Sequence, residues 1–287
     1  MEAKIHTLVL SGGGVKGIAY CGVIKKLEEL QGSMIDIKKV CCVSVGSIFG
    51  LAYVLGYRHD EIKDELLNKN FAQFKDIKLA NFFTMYGLDS GNNIMSWVET
   101  LMLKKGCSNA ATFNDLYART NIHMQVLATN LNKQTFAVFD HIQTPDVKLT
   151  TAIRLSISIP FVFAAQRYLG DVHVDGGVLD NYPIHLVEED LPNVLGIRLV
   201  AERIEDNKIE DMNAYVANVM SCLISQRHTS MKEKYKKYTM LVQTGSKNQT
   251  VNFALTRQEK LRLIKAGYEA ADRYFAELEF KKEKNSR

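Results

Sequence analysis

Proline is scarce in this chain, with 4 in 287 residues, well under the ~5% usual in globular proteins. That excludes a collagen-like or proline-rich linker architecture, and no low-complexity block or internal repeat appears in its place. Cysteine is also sparse. Cys21, Cys41, Cys42, Cys107 and Cys222 form neither the even count of a disulfide framework nor a C-x-x-C zinc pattern, so reduced, buried thiols are expected. Charge of one sign is lacking too, because 36 basic and 32 acidic residues leave a net +4, too little for a wholly basic nucleic-acid-binding surface. The first ten residues carry Glu2 and Lys4 before a short apolar run, too short for a signal-peptide core, so a leaderless, cytoplasmic product is expected. Val40 to Tyr57 is uncharged and reaches the ~18-residue minimum for a membrane span. Its interior Ser44-Val45-Gly46-Ser47 is turn chemistry, however, so it reads as a buried strand, a turn and a helix.

What is present is a globular balance, with 46% apolar and 24% charged residues, and enough length for one large core. A strand at His6–Ser11, a glycine cluster and a helix over Lys16–Leu30 are followed by a strand at Lys38–Val43. This spacing is that of a βαβ unit in a parallel sheet. Helices are predicted from Val45 to about Gly56, from an Asp60 N-cap to Asn68, over Asn93–Lys105 and over Phe113–Arg119. Strands are predicted at His123–Thr129, with a hairpin through Asn132-Lys133-Gln134, at Val194–Val200 and at Thr239–Thr244, and Tyr168–Val174 reads as a short strand or hairpin arm. The last third reads as helical over Met212–Tyr238 and Thr256–Glu279. Asn70–Gly91 has poor periodicity and crowds Phe71, Phe74, Phe82, Phe83 and Tyr86, as a cover or as core. We expect a single domain over residues 1–280, with 281–287 a charged, solvated tail.

Gly12-Gly13-Gly14-Val15-Lys16-Gly17 lies between a strand and a helix and matches G-x-G-x-x-G. The acidic residue that should close the second strand of a dinucleotide fold is missing, since Cys41-Cys42-Val43-Ser44 ends it. Ile18 stands where a phosphate-binding loop requires lysine. A glycine run at a helix N-terminus still offers unobstructed N–H groups and a positive dipole end to an oxyanion. Cys42-Val43-Ser44-Val45-Gly46 is similar to the nucleophile elbow G-x-S-x-G, in which a strained turn raises a serine hydroxyl above the sheet edge. Gly46 is present and the first glycine is replaced by Cys42, which leaves an ordinary N-cap serine as the competing reading. A serine nucleophile needs a base, and none of the seven histidines has a turn context that would fix it. Asp175, in Val174-Asp175-Gly176-Gly177 after a short strand, has such a context, although Asp-Gly-Gly is also common turn chemistry.

Taken together, the glycine loop, the serine elbow and Asp-Gly-Gly resemble the patatin-like phospholipase family. The resemblance extends to Ser156-Ile157-Ser158-Ile159-Pro160 and to Asn181-Tyr182-Pro183, and covers roughly Thr7 to Phe275. It implies a three-layer α/β/α sandwich with a mainly parallel central sheet, and a serine–aspartate dyad without histidine, metal or cofactor. Carried over by position, Ser44 is the nucleophile, Asp175 the base, and the amides of Gly12, Gly13 and Gly14 the oxyanion hole. Gly17, Cys42, Val45, Gly46, Gly176 and Gly177 support the elbow and the loops. The implied activity is hydrolysis of glycerophospholipid acyl esters. Cys42, Val43 and Val45 are bulkier than the family's usual residues, which keeps a weakened lipid-binding protein open as an alternative, with a dinucleotide oxidoreductase and an interaction module behind it. Arg227, Lys232, Lys234, Lys236 and Lys237 form a basic cluster that would suit peripheral contact with an anionic membrane, or simply a solvated helix face.

Overall fold

Short apolar strands, buried on both faces over much of their length, build the centre of the protein. The computed structural model describes residues 4–202, 209, 215, 218–219, 233–246 and 252–285. Strand β1 (Ile5–Leu10) leads through a 3-10 turn at Gly14–Ile18 into helix α1 (Ala19–Glu29), then β2 (Ile35–Val43) and α2 (Val45–Val54). Helices α3 (His59–Asn68), α4 (Leu79–Met85), α5 (Asn92–Lys104) and α6 (Phe113–Thr120) follow, with the short strand β3 (Gly87–Asp89) between α4 and α5. The hairpin of β4 (His123–Asn130) and β5 (Thr135–Phe139) precedes α7 (Leu149–Ser156) and strands β6 (Phe161–Phe163), β7 (Gln166–Tyr168) and β8 (Asp171–Asp175). A 3-10 stretch at Ile184–Asn193 leads to β9 (Val194–Glu202), and α8 (Glu233–Lys236), β10 (Thr239–Ser246) and α9 (Arg257–Asn285) complete the described chain.

The strand order is β10-β9-β1-β2-β4-β8-β7, with β5 also on β4. From β10 to β4 every pairing is parallel, whereas β8, β7 and β5 join antiparallel. β3 and β6 form a separate parallel pair. Both faces of the central strands are buried, which explains their near-continuous apolar sequences. Leu8, Leu10, Val40, Cys42, Val126 and Ala128 belong to one core with α1, α2, α5, α7 and α9. Val9, Cys41, Val43 and Leu127 face the other way, against Tyr182, Ile184, Val187 and Tyr235. The three-layer arrangement with a mainly parallel sheet is therefore the observed one, and Cys42 shares its face with Val40, as strand alternation requires.

Several expectations change. β2 begins at Ile35, because buried Ile35 and Ile37 already alternate with outward Asp36 and Lys38. Asp60 does not cap α3; it lies in the first turn with its side chain in solvent, while the Glu61 carboxylate accepts the Arg58 N–H at 2.8 Å. Helix α7 was not foreseen, as it is only two turns long and rich in hydroxyl residues. The segment from Asn70 to Gly91 is divided: Phe71 and Phe74 are core, and Phe82, Phe83 and Tyr86 are exposed. Within the expected tail, residues 281–285 continue α9, and Lys284 is exposed. Most of the expected helix over Met212–Tyr238, with Cys222, Arg227 and Lys232, lies outside the described residues. Of that basic cluster, Lys234 pairs with Glu188 at 2.6 Å and Lys236 with Glu233 at 2.5 Å, so neighbouring carboxylates already offset part of its charge. Among the described residues no helix is long and apolar enough to cross a membrane.

Candidate active site

Ser44 occupies the sharp junction between β2 and α2 with φ 53° and ψ −133°. A non-glycine residue in that region costs about 1–3 kcal/mol and persists only where its surroundings hold it. Two contacts do so. The Ser44 N–H donates to Ser156 Oγ at 2.8 Å, and the Ser156 hydroxyl donates to the Leu127 carbonyl at 2.6 Å. Although Ser44 occupies the N-cap position, its side chain makes no capping bond. The hydroxyl donates to Asp175 Oδ2 at 2.6 Å, linking residues from two different strand ends.

Asp175 is fixed from several sides. Its N–H donates to the Ser158 carbonyl at 2.9 Å, its carbonyl accepts from Thr129 Oγ1 at 3.0 Å, and its Oδ1 accepts from the Gly177 N–H at 2.7 Å. The serine and the aspartate are each only 4% exposed. Burial raises the Asp175 carboxyl to about 7, against the opposing pull of the Ser44 and Gly177 hydrogen bonds. A carboxylate that changes protonation near neutrality is matched to general-base work. Among the described residues no imidazole bonds to either side chain.

The glycine loop differs in part from expectation. The Gly12 N–H is already bonded to the Asn181 carbonyl at 3.1 Å, and Asn181 Nδ2 returns a bond to the Gly12 carbonyl at 3.3 Å. Gly12 therefore anchors the loop and has no amide to spare for an oxyanion. The N–H groups of Gly13 and Gly14 have no acceptor among the described residues, and Gly14 lines the same cavity as Ser44. A Cβ on Gly12 would also meet the Ser44 Cβ at 3.0 Å, so the loop packs on the elbow.

Each bulky elbow residue is matched by a glycine opposite. A Cβ on Gly50 of α2 would meet Cys42 Sγ at 3.3 Å; one on Gly17 would meet Val45 Cγ2 at 2.5 Å; one on Gly176 would meet Val43 Cγ2 at 2.5 Å. Gly46 retains the close backbone approach itself, as its Cβ would lie 2.7 Å from the Leu10 carbonyl oxygen. The Cys42 thiol donates to the Gln125 carbonyl at 3.1 Å, and burial pushes its pKa well up, so it is an inert packing group.

Beneath Ser44 lies a narrow cavity of about 50 Å³, walled by Val15, Ile48, Phe49, Phe74, Trp97 and Phe163 among others. Its apolar lining is of the kind that binds hydrocarbon groups. Sequence reasoning did not assign roles to Ser156, Asn181 or Arg154. The buried Arg154 guanidinium donates to Ser158 Oγ at 2.6 Å and to the Ser90 and Ala164 carbonyls at 2.7 and 3.0 Å, tying three segments around the Asp175 support. An arginine within an apolar stretch was the available signal, since a buried guanidinium must have several acceptors.

Residues 8–187 match the patatin-like phospholipase family. The chain belongs to that family. It is 25% identical over 288 residues to an uncharacterised protein of Acanthamoeba polyphaga mimivirus, covering 96% of each chain. It is 30% identical to the uncharacterised protein YqhO of Bacillus subtilis, covering 90% of this chain and 94% of that one. A probable lipid hydrolase of Invertebrate iridescent virus 6 is 31% identical, across 63% of this chain and 62% of its own. In structure the chain is similar to VipD of Legionella pneumophila, with a TM-score of 0.62 at 18% identity, covering 96% of this chain and 67% of that one. The architecture is thus shared with VipD, and family membership assigns lipid hydrolysis as the general activity.

Proposed function

We propose that this protein is a phospholipase A-type acyl hydrolase that works through an acyl-serine intermediate, with Ser44 as nucleophile and Asp175 as general base. The observation that carries this reading is the 2.6 Å hydrogen bond from the Ser44 hydroxyl to the buried Asp175 carboxylate, at the wall of an apolar cavity. Ser44 Oγ attacks the ester carbonyl carbon as its proton passes to Asp175 Oδ2, and the developing oxyanion accepts from the Gly13 and Gly14 N–H groups. Collapse of the tetrahedral intermediate expels the lysophospholipid alkoxide, which takes the proton from Asp175. Water then attacks the acyl-serine and gives a proton to Asp175, and fatty acid departs as Ser44 recovers its hydrogen. The apolar cavity wall takes the part of the acyl chain next to the ester, while the polar head remains outside. The matched glycines at Gly17, Gly50 and Gly176 favour a working elbow over a weakened one.

Fluorophosphonate labelling and mass spectrometry of products from defined phosphatidylcholines test this reading. Labelling confined to Ser44 is expected, with release of fatty acid and lysophospholipid. Ser44→Ala and Asp175→Asn should each lower turnover by at least ~10³-fold while the fold remains intact. Labelling confined to another serine, or full activity in Asp175→Asn, would overturn the dyad.

A further inference from the structure

The segment Ile157–Phe163, three of whose residues line the cavity, and helix α4 beside it both carry apolar side chains out into solvent. Phe83 at the end of α4 is 81% exposed and Tyr86 is 56% exposed, with Phe82 and Met85 beside them; Phe161 on β6 is 47% exposed. β3 and β6 bring the two groups together through the Gly87–Phe161 pairing, and the Met85 carbonyl accepts the Ala165 N–H at 2.9 Å. Tyr86 and Phe161 line one groove with Leu131, Pro160, Val172 and Val178, around about 900 Å³ of open space. Single exposed apolar residues are ordinary, but a contiguous aromatic patch marks an interaction surface.

Two further features distinguish this patch. Tyr86 and Phe161 have φ of 60° and 67°, and so does Leu169 at 51°, at the tip of the hairpin whose second strand carries Val172. The left-handed region is unfavourable for residues with a Cβ, so the backbone is held in a strained form at positions whose side chains face solvent. The patch also adjoins the proposed substrate cavity along one segment: Ile159 and Phe163 line the cavity, and Pro160 and Phe161 between them line the groove. Val174, in the groove wall, directly precedes Asp175.

The charged neighbours favour one kind of partner. Lys75 and Lys78 just before α4, Lys133 two residues after Leu131, and Arg167 two residues after the groove residue Ala165 are all exposed. The acidic groups paired with them, Asp76 with Lys78 at 3.4 Å and Asp171 with Lys133 at 3.3 Å, are partly buried and leave a basic excess in solvent. Aromatic and aliphatic side chains bordered by lysine and arginine suit the headgroup and acyl boundary of an anionic bilayer.

We propose that the surface formed by Phe82, Phe83, Tyr86, Leu131 and Phe161 docks the protein on an anionic phospholipid bilayer, so that an acyl chain passes from the bilayer into the cavity beneath Ser44. This surface is distinct from the basic cluster near Lys234. It rests on the acyl-hydrolase reading for its purpose, but its binding can be measured without catalysis.

The test uses Ser44→Ala protein and vesicles of phosphatidylcholine with and without phosphatidylserine. Partitioning should be stronger on the anionic vesicles and weaken with salt. Phe83→Asp combined with Tyr86→Asn should reduce it by about tenfold or more, the size expected from withdrawing buried aromatic surface. Asparagine tolerates the left-handed conformation at position 86, and melting temperature checks the fold. In the Ser44-containing protein the same double variant should hydrolyse a soluble short-chain ester within twofold of the parent rate. Phe280→Asp, at an exposed position on α9, should partition normally. A tryptophan at position 83, introduced into a Trp97→Phe background so that it is the sole indole, should be quenched by lipids brominated in the acyl chain. Undiminished partitioning of the double variant would overturn the proposal. So would a concentration-dependent dimer without vesicles that the double variant abolishes, which would make a second copy of the chain the occupant. Failure of the parent to cleave any soluble ester would instead count against the hydrolase reading and leave the docking result standing.

Discussion

Asp175→Asn should make the protein more stable at alkaline pH while it abolishes turnover. The carboxyl has an ordinary value of 3.8 and is raised to about 7 by burial in the folded protein. A group raised in this way contributes stability that is full below its unfolded pKa, near 4, and lost as pH rises through 7. Three pH units correspond to a ceiling of ~4 kcal/mol between the protonated and ionised forms. The charge-assisted bonds from Ser44 and Gly177 are lost with the charge, so a gain of ~1–3 kcal/mol at pH 8 is expected from the amide. The Asn Oδ1 can still accept from the Gly177 N–H, and its Nδ2 can donate to Ser44 Oγ, so the geometry is retained. For a chain of this size the gain is about 3–10 °C in melting temperature. Thermal and urea unfolding of both proteins at pH 5 and pH 8 should show a gap that opens with pH. A gap equal at both pH values, or a variant less stable at pH 8, would refute the assignment of a desolvated carboxylate. The same carboxyl predicts that hydrolysis of a soluble ester by the parent falls as pH drops through about 7, as the base becomes protonated.

Cys42→Gly should change hydrolysis less than ~tenfold, under ~1.4 kcal/mol in barrier, and lower stability slightly by opening space against Gly50; Cys42→Leu should overpack that contact by ~1–3 kcal/mol, as melts and kinetics on a soluble ester would show. Ser156→Ala leaves the buried Ser44 N–H without its acceptor, at a cost of ~1–3 kcal/mol, and should lower kcat and the fluorophosphonate labelling rate more than it changes KM. Arg154→Lys cannot reproduce three directed bonds to Ser158, Ser90 and Ala164; it should lower stability by ~2–4 kcal/mol and loosen the Asp89–Gly91 segment, read as faster amide exchange there.

The parallel sheet was legible because buried strands such as Leu8–Leu10 and Val40–Val43 lack polar residues on either face, and because the βαβ spacing leaves few other arrangements. Ser44 and Asp175 were legible as local chemistry, a serine at a strand-to-helix junction and an aspartate before two glycines. Their 131-residue separation gives no local signal of contact, however. Only the antiparallel addition of β8 to β4, beside the parallel β2, brings Asp175 Oδ2 to the Ser44 hydroxyl. The fate of individual amides was equally hidden: Gly12, Gly13 and Gly14 are equivalent in sequence, and it is Asn181, arriving from after β8, that occupies the first of them. The bulky elbow reads as a defect in one dimension because Cys42, Val43 and Val45 are compared only with their neighbours along the chain. In three dimensions they face Gly50, Gly176 and Gly17, and the space removed on one side of each contact is restored on the other. Local patterns determine which elements form and which face they bury; pairwise volume, hydrogen-bond ownership and the desolvation of Asp175 depend on what the rest of the chain brings alongside.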